Sequence, residues 1–160
     1  MRVGAIADRP LAELPYLNAA RGGGVERAVL PVLDVTVDAC AHLLDGEVRA
    51  LDGLRVGGVS GIVGALERHD QRPSEAFVAL MGRLVALPIG VLLLHEAPTC
   101  TTSERPGNAT IRSVIEEEAG YVRPLVLCGH TPWASPLAEL ANGVQVLNLE
   151  ARVAVLRARR

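Results

Sequence analysis

The chain has 160 residues, of which 49% are hydrophobic, and its 16 basic and 18 acidic side chains leave a net charge of −2. This length suits one domain spanning residues 1–160, and a chain of this size removes about 70% of its surface from water on folding. Aromatic residues make up 2% of the sequence, too few for a surface that stacks nucleic-acid bases. The near-neutral charge also argues against a nucleic-acid partner, because phosphate contacts need a basic surface.

The apolar runs and the cysteines indicate in which cellular compartment the protein works. No run reaches the roughly 20 residues that a membrane-spanning helix needs, since residues 84–94, the longest apolar stretch, contain a proline and a glycine. The N-terminus lacks the apolar core and cleavage site of a secretory signal. The sequence therefore predicts a cytoplasmic protein with no membrane partner. Three widely spaced cysteines fit neither a disulfide framework nor a zinc motif and are predicted to be reduced thiols: Cys40, Cys100 and Cys128.

The first part of the chain is predicted to hold two buried strands, each ending at an aspartate. Residues 2–7 form a short apolar run before Asp8, and residues 26–33 form a longer run before Asp34. The apolar spacing of residues 11–21 predicts a helix between the two strands. The chain therefore begins with alternating strand and helix.

A hairpin, a helix and a strand are predicted next. Residues 47–51 and 54–59 are separated by Asp-Gly, a dipeptide typical of a tight hairpin turn. A helix is predicted from Pro73 through Leu84 on the spacing of its apolar residues. Residues 89–94 form a continuous aliphatic run, as expected for a strand that is buried on both faces of a sheet.

The last third of the chain repeats this alternation. Residues 109–120 predict a helix with Gly120 at its C-terminal cap, and residues 125–128 predict another buried strand. Residues 144–149 and 152–156 alternate apolar and polar side chains, which predicts an antiparallel pair with one exposed face. Strands that alternate with helices and finish in an antiparallel pair indicate an α/β fold, a layered α/β sandwich.

Four polar residues come at the predicted ends of apolar strands: Asp8, Asp34, His95 and His130. The carboxyl ends of parallel strands meet at one edge of a sheet, where ligands bind in open α/β proteins. Two imidazoles and one or two carboxylates form a ligand set for a divalent metal ion. The alternative is that each histidine is a hydrogen-bonded structural residue, which is the commoner case for one histidine alone.

Four segments of the second half form a series with a characteristic order and spacing: Leu54–Gly61, Val91–Pro98, Leu125–Trp133 and Gly143–Leu149. The series, which extends over residues 52–156, resembles the calcineurin-like metallophosphoesterases. The histidines of the second and third segments correspond to the mid-chain histidine of that family and to the first histidine of its Gly-His-x-His block. The resemblance implies a two-sheet α/β sandwich, here shortened, whose loops hold two metal ions at one edge.

The chain departs from the family pattern at three places. Where the family has Asp-x-His, Asp8 is followed by Pro10, and where it has Gly-His-x-His, His130 is followed by Pro132. Asp34 aligns with either of two family motifs, so one β-α unit and its asparagine and histidine are missing. The resemblance therefore implies a degenerate site.

The ligands that remain suit at most one tightly bound ion of manganese, zinc or iron. The resemblance implies that Asp34, His95 and His130 hold this ion and act as the catalytic residues, with Asp8 contributing to the metal site. It implies a weak metal-dependent hydrolase of a small phosphoester. The alternative is a non-catalytic binding or assembly module that binds no metal and forms a homodimer through the opened sheet edge. The prolines favour this alternative and the histidines favour the hydrolase.

Overall fold

The computed structural model describes residues 44–51, 53–65, 71–100, 107–152 and 154 of the chain. The strands predicted at residues 2–7 and 26–33 and the helix predicted at residues 11–21 lie outside these ranges. The site residues outside the described ranges are Asp8 and Asp34, and Cys40 lies outside them as well.

Ten elements follow one another along the described chain. They are β1 (Glu47–Leu51), β2 (Leu54–Val59), β3 (Ile62–Val63), β4 (Gln71–Arg72), α1 (Ser74–Val85), β5 (Val91–Glu96), α2 (Ala109–Glu118), β6 (Leu125–Gly129), β7 (Leu137–Glu139) and β8 (Gln145–Asn148). Six strands form one sheet in the order β1-β2-β5-β6-β8-β7, and β3 pairs with β4. The four central strands are parallel and the two outer strands are antiparallel to their neighbours. The fold is therefore α/β with a mostly parallel sheet, which confirms the predicted class.

The predicted hairpin is present with the predicted strand bounds. In the antiparallel pair of β1 and β2, Leu51 lies opposite Leu54, so two residues form the connection. Gly53 has a φ of 83°, in the left-handed region that glycine adopts without a steric penalty. The Asp-Gly signal was therefore sufficient to place this turn.

Helix α1 packs against the sheet through one apolar face. Its buried residues recur at helical spacing, at Phe77, Met81, Leu84 and Val85. A Cβ atom at Gly57 of β2 would lie 3.3 Å from Ile89 Cδ1 and 3.5 Å from Leu84 Cδ2, so the tightest approach to this glycine is that of Ile89, which follows the helix. The predicted helix is confirmed.

Helix α2 buries Ile111, Val114 and Ile115, as predicted. The predicted glycine cap is wrong, because the helix ends at Glu118 and its cap residue is Ala119, in an extended conformation with ψ of 119°. The Ala119 N–H already donates to Ile115 O, so the chain leaves the helix without the left-handed residue that a glycine cap supplies.

Strand β5 is buried on both faces, as its aliphatic run predicted. Leu92 and Leu94 pack in the core on the side of the helices, while Val91 and Leu93 pack with Leu149 in a second core on the opposite side. The strand begins later than predicted, at Val91, and continues to Glu96. His95 therefore lies within the strand rather than directly after it.

The C-terminal antiparallel pair is partly wrong. Residues 144–149 contain β8 as predicted, but its antiparallel neighbour is β7, not residues 152–156. Arg152 and Ala154 are not in a strand, and the other residues of that predicted strand lie outside the described ranges. The Arg152 N–H donates to Leu149 O around Ala151, which has a φ of 54°, so the chain forms a turn after β8. Apolar alternation indicates a strand but does not specify its neighbour.

No helix within the described residues is long and apolar enough to cross a membrane.

Candidate functional site: a histidine pair at the carboxyl edge of the sheet

His95 is held at the end of the central strand β5. Its side chain is buried, with 8% of the residue exposed. The pairing of β5 with β6 shifts register between Leu93 and Glu96, and Glu96 lies opposite Gly129. Irregularities of this kind bend a strand locally and re-aim its side chains. His95 therefore sits at an irregular strand end next to the end of β6.

His130 follows β6 directly and occupies a strained turn. Its φ is 71°, and the Thr131 N–H donates to Gly129 O over 2.9 Å. A hydrogen bond that spans a single residue of this φ defines the rare form of the three-residue γ-turn. Such a conformation costs about 1–3 kcal/mol at a residue with a side chain and persists only where the surroundings enforce it.

The two histidine rings meet. His130 Nδ1 lies 3.2 Å from His95 Nε2, and the ring centroids are 4.9 Å apart with an angle of 64° between the ring planes. If both centroids and both contacting nitrogens lay on one line, the centroids would be farther apart than this. The rings therefore approach each other at an angle. The expectation that the ends of β5 and β6 bring both imidazoles to one edge of the sheet is met.

This arrangement has two chemical interpretations. One ring N–H can donate to the other ring nitrogen, or both nitrogens can direct their lone pairs toward a shared cation. Two nitrogens that bind one tetrahedral zinc ion at about 2.05 Å each lie about 3.3 Å apart, close to the separation of His130 Nδ1 and His95 Nε2. The separation of the two nitrogens is therefore compatible with either interpretation, and a metal ion would need at least a third ligand.

The third ligand is not found in the described part of the chain. No group of three or more histidine, cysteine, aspartate or glutamate side chains suited to a metal ion occurs there. The predicted carboxylate ligands, Asp8 and Asp34, lie outside the described residues. Their place in the site therefore stays a prediction.

Glu96 links the end of β5 to two other elements. One carboxylate oxygen accepts from the Val63 N–H over 2.8 Å, and the other accepts from Asn108 Nδ2 over 3.0 Å. Asn108 also caps α2, because its Oδ1 accepts from the backbone N–H groups of Thr110 and Ile111. The residue next to His95 is therefore fixed from two directions.

Asn148 supports the other histidine, and sequence reasoning missed it. It is fully buried at the end of β8, and its Nδ2 donates to the carbonyl oxygen of Thr131, which follows His130, over 2.9 Å. The signal that could have found it is a polar residue at the end of a strand adjacent to β6.

Asp45 lies at the same edge of the sheet, just before β1, and contacts residues that follow β2. Its carboxylate accepts from Arg72 Nη2 at 2.9 and 2.8 Å and from the Ser60 N–H at 3.2 Å. Partial burial raises its pKa, but the hydrogen bonds from Arg72 and Ser60 and the positive charge of Arg72 outweigh burial, so that the net pKa is lowered from 3.8. Asp45 is therefore an ionised structural group that joins β1, β2 and β4.

The cysteines near this edge are buried free thiols, as predicted for Cys100 and Cys128. Burial, followed by the nearby Cys100 and the negative charge of Glu150, raises the pKa of Cys128 far above its ordinary value of 9.0. Because the thiolate is the reactive form, Cys128 is not poised as a nucleophile. The interpretation of Cys128 as a small core residue is the one that its surroundings support.

The chain matches no protein-family model, no curated protein and no solved structure.

Proposed function

We propose that this chain is a metal-dependent phosphoester hydrolase with a reduced site, on a shortened sandwich of the metallophosphoesterase type. The observation that carries the proposal is the approach of His130 Nδ1 to 3.2 Å from His95 Nε2 at the carboxyl edge of parallel strands, where α/β proteins place their ligands. The two imidazoles would hold one manganese, zinc or iron ion. Asp34 would be the third ligand and Asp8 would contribute.

A set of two histidines and one carboxylate leaves open positions on a divalent ion. When bound, such an ion supplies Lewis acidity toward a phosphoryl oxygen and lowers the pKa of water. The protein contributes two ring nitrogens that already lie 3.2 Å apart, and both rings would direct their lone pairs toward one shared point to hold the ion. His95 is buried, which keeps one ring fixed, while the exposed His130 borders solvent and can meet a small substrate.

The same reasoning predicts weak catalysis. Two ions clamp both the attacking and the leaving oxygen of phosphoryl transfer. The position two residues after His130 is Pro132, which has no ligand atom for a second ion. If the missing ion and acid contribute about 4 kcal/mol, turnover falls about a thousandfold relative to a complete site. We therefore expect at most one tightly bound ion and slow hydrolysis of a small phosphoester.

The test combines metal binding with turnover in the full chain. Manganese and zinc binding are measured by calorimetry, and hydrolysis of an aryl phosphodiester is followed with added manganese. We expect at most one equivalent of metal per chain, and His95→Ala and His130→Ala should each abolish tight binding and turnover. His69→Ala is the control, because it removes a histidine that the proposal does not assign to the site, and it should leave both unchanged.

Three outcomes would overturn this proposal. Two equivalents of metal per chain would contradict a reduced site. A chain that binds neither metal would contradict a hydrolase of this type, and turnover that survives His95→Ala would locate the activity elsewhere.

A non-catalytic binding or assembly module is the second candidate. It is favoured by Pro132, which offers no side-chain ligand. The outer side of β1 has no paired strand in the described sheet, and such an edge can pair with a second copy of the chain. A metal-free, inactive chain that sediments as a stable homodimer would support this candidate over the hydrolase.

A further inference from the structure

We infer that Asn148 is a positioning residue for the histidine pair, because it holds the turn from which His130 reaches His95. The geometric part of this inference depends only on the contacts of the fold. Its consequence for metal binding rests on the proposed function.

Three hydrogen bonds of Asn148 connect β8 to its surroundings. The side-chain Nδ2 donates to Thr131 O over 2.9 Å, and the backbone N–H donates to Pro136 O over 2.8 Å. The side-chain Oδ1 accepts from the Glu150 N–H over 3.0 Å. Two of these bonds therefore secure the segment that begins directly after His130, and the third secures the turn after β8.

The His130 turn needs such a support. A left-handed φ of 71° is unfavourable for histidine, and His130 is an exposed residue. The hydrogen bond from Asn148 fixes the carbonyl group of Thr131 and so restricts the peptide group that follows Thr131, directly after the His130 turn. Arg152 acts farther along the same segment, where its Nη2 donates to Trp133 O over 2.6 Å.

The chemistry of this position requires an amide. A single asparagine side chain supplies one donor for Thr131 and one acceptor for Glu150 at the same time. An apolar side chain of similar size would leave both groups without this partner at a fully buried position. Serine can accept from the N–H two residues ahead, but its short side chain cannot span to Thr131. Asn148→Ser therefore removes the contact that supports the His130 turn while preserving the contact to Glu150.

The chain contains a closely matched control. Asn142 donates through Nδ2 to Ile115 O over 3.0 Å and accepts through Oδ1 from the Val144 N–H over 3.1 Å. Its Nδ2 also donates to Glu116 O over 3.4 Å, so Asn142 bonds across the fold through its amide nitrogen and two residues ahead through its amide oxygen, as Asn148 does. Asn142 precedes β8, whereas Asn148 ends it, so Asn142→Ser causes a comparable chemical loss at the opposite end of the strand.

The first measurement is the nuclear Overhauser contact between the ring protons of His95 and His130 in the metal-free full chain. Wild type and Asn142→Ser should show this contact, and Asn148→Ser should lose or weaken it. The second measurement is zinc binding by calorimetry. Asn148→Ser should weaken zinc affinity by about 10–100-fold, the range for residues that support metal ligands, while Asn142→Ser should change it less than threefold. Melting temperatures should fall in both variants.

The outcomes separate this inference from the proposed function. An unchanged ring contact in folded Asn148→Ser, or an equal loss in Asn142→Ser, would overturn the role of Asn148. A wild-type chain with the ring contact but no zinc binding would overturn the proposed function. The role of Asn148 would then be tested by the ring-contact measurement alone. If Asn148→Ser does not fold, Asn148→Thr supports the same test, because threonine fills more space and favours a strand.

Discussion

The two edges of the sheet differ in which side chains they bury and which they expose. At the carboxyl edge lie all four buried polar residues of the described chain: Ser60, His95, Asn148 and Glu150. At the amino edge, the connections that lead into β5 and β6 expose large apolar side chains, namely Leu87, Tyr121 and Val122. Burying polar groups is costly unless each is hydrogen-bonded, and a small fold gains little stability from it. The concentration of such groups at one edge supports the proposal that the carboxyl edge carries the functional site.

The largest stability effect should come from removing the carboxylate next to His95. Glu96→Ala leaves the Val63 N–H and Asn108 Nδ2 without their shared acceptor. We expect the free energy of unfolding to fall by about 2–3 kcal/mol, because partly buried groups lose their partners. Urea unfolding measures this change.

The control for Glu96→Ala is a glutamate near the amino edge of the sheet. Glu118 is exposed at the end of α2 that leads to the amino edge, and Glu118→Ala should stay within about 0.5 kcal/mol of wild type, as exposed substitutions usually do. Equal losses in the two variants would show that the carboxyl edge is not specially organised by its polar contacts.

Much of the described fold was predictable because its signals are local. The Asp-Gly dipeptide specified the hairpin, and the apolar spacing at Phe77, Met81 and Leu84 specified the buried face of α1. The strand neighbours were not predictable in the same way. The pairing of β8 with β7 depends on contacts between residues 137–139 and 145–147, and a short strand such as β7 has too few residues for a reliable period.

The site was predictable only in part, for a related reason. His95 and His130 could be placed at one edge because polar residues after apolar strands indicate carboxyl ends. The left-handed φ of His130 has no local sequence signal, since glycine, not histidine, is the residue that marks such turns. The role of Asn148 depends on Thr131, which is 17 residues away in the chain. Both features arise from tertiary contacts that a pattern of apolar residues does not contain.

An effect of intermediate size should come from the backbone of the His130 turn. His130→Gly and His130→Ala both remove the ring, but only glycine adopts a φ of 71° without strain. We expect His130→Gly to be more stable than His130→Ala by about 1–2 kcal/mol, the penalty for a left-handed residue with a Cβ atom. Thermal and urea unfolding provide the comparison.

The same two variants also show whether the residue that stabilises the turn is the one that binds metal. Neither variant should bind zinc tightly, so the more stable protein would lack the proposed site. If glycine gives no advantage over alanine, the turn is not strained in solution, and the need for support by Asn148 disappears with it.

The smallest effect concerns acid stability at the Asp45 clamp, which is defined by Asp45, Arg72 and Ser60. The folded-state pKa of Asp45 is lowered by Arg72 and Ser60 despite the opposing effect of burial. The unfolded chain therefore binds more protons than the folded chain as the pH drops below about 5. The clamp's contribution is fully present above the ordinary pKa of 3.8 and is lost as the pH falls through the lower folded-state value.

Asp45→Asn should accordingly flatten the decline of the free energy of unfolding between about pH 5 and pH 2. At pH 7 it should lower this free energy by about 1 kcal/mol or less, because the ion pair is partly exposed to solvent, which screens it. Urea unfolding at a series of pH values measures both changes. Glu47→Gln neutralises an exposed carboxylate two residues away whose contact with Arg49 is 3.5 Å long and solvated, and it should leave the acid limb unchanged. An acid limb that is equally steep in wild type and Asp45→Asn would show that the ion pair does not hold this edge of the sheet together, and that the order at the carboxyl edge depends on its neutral hydrogen bonds.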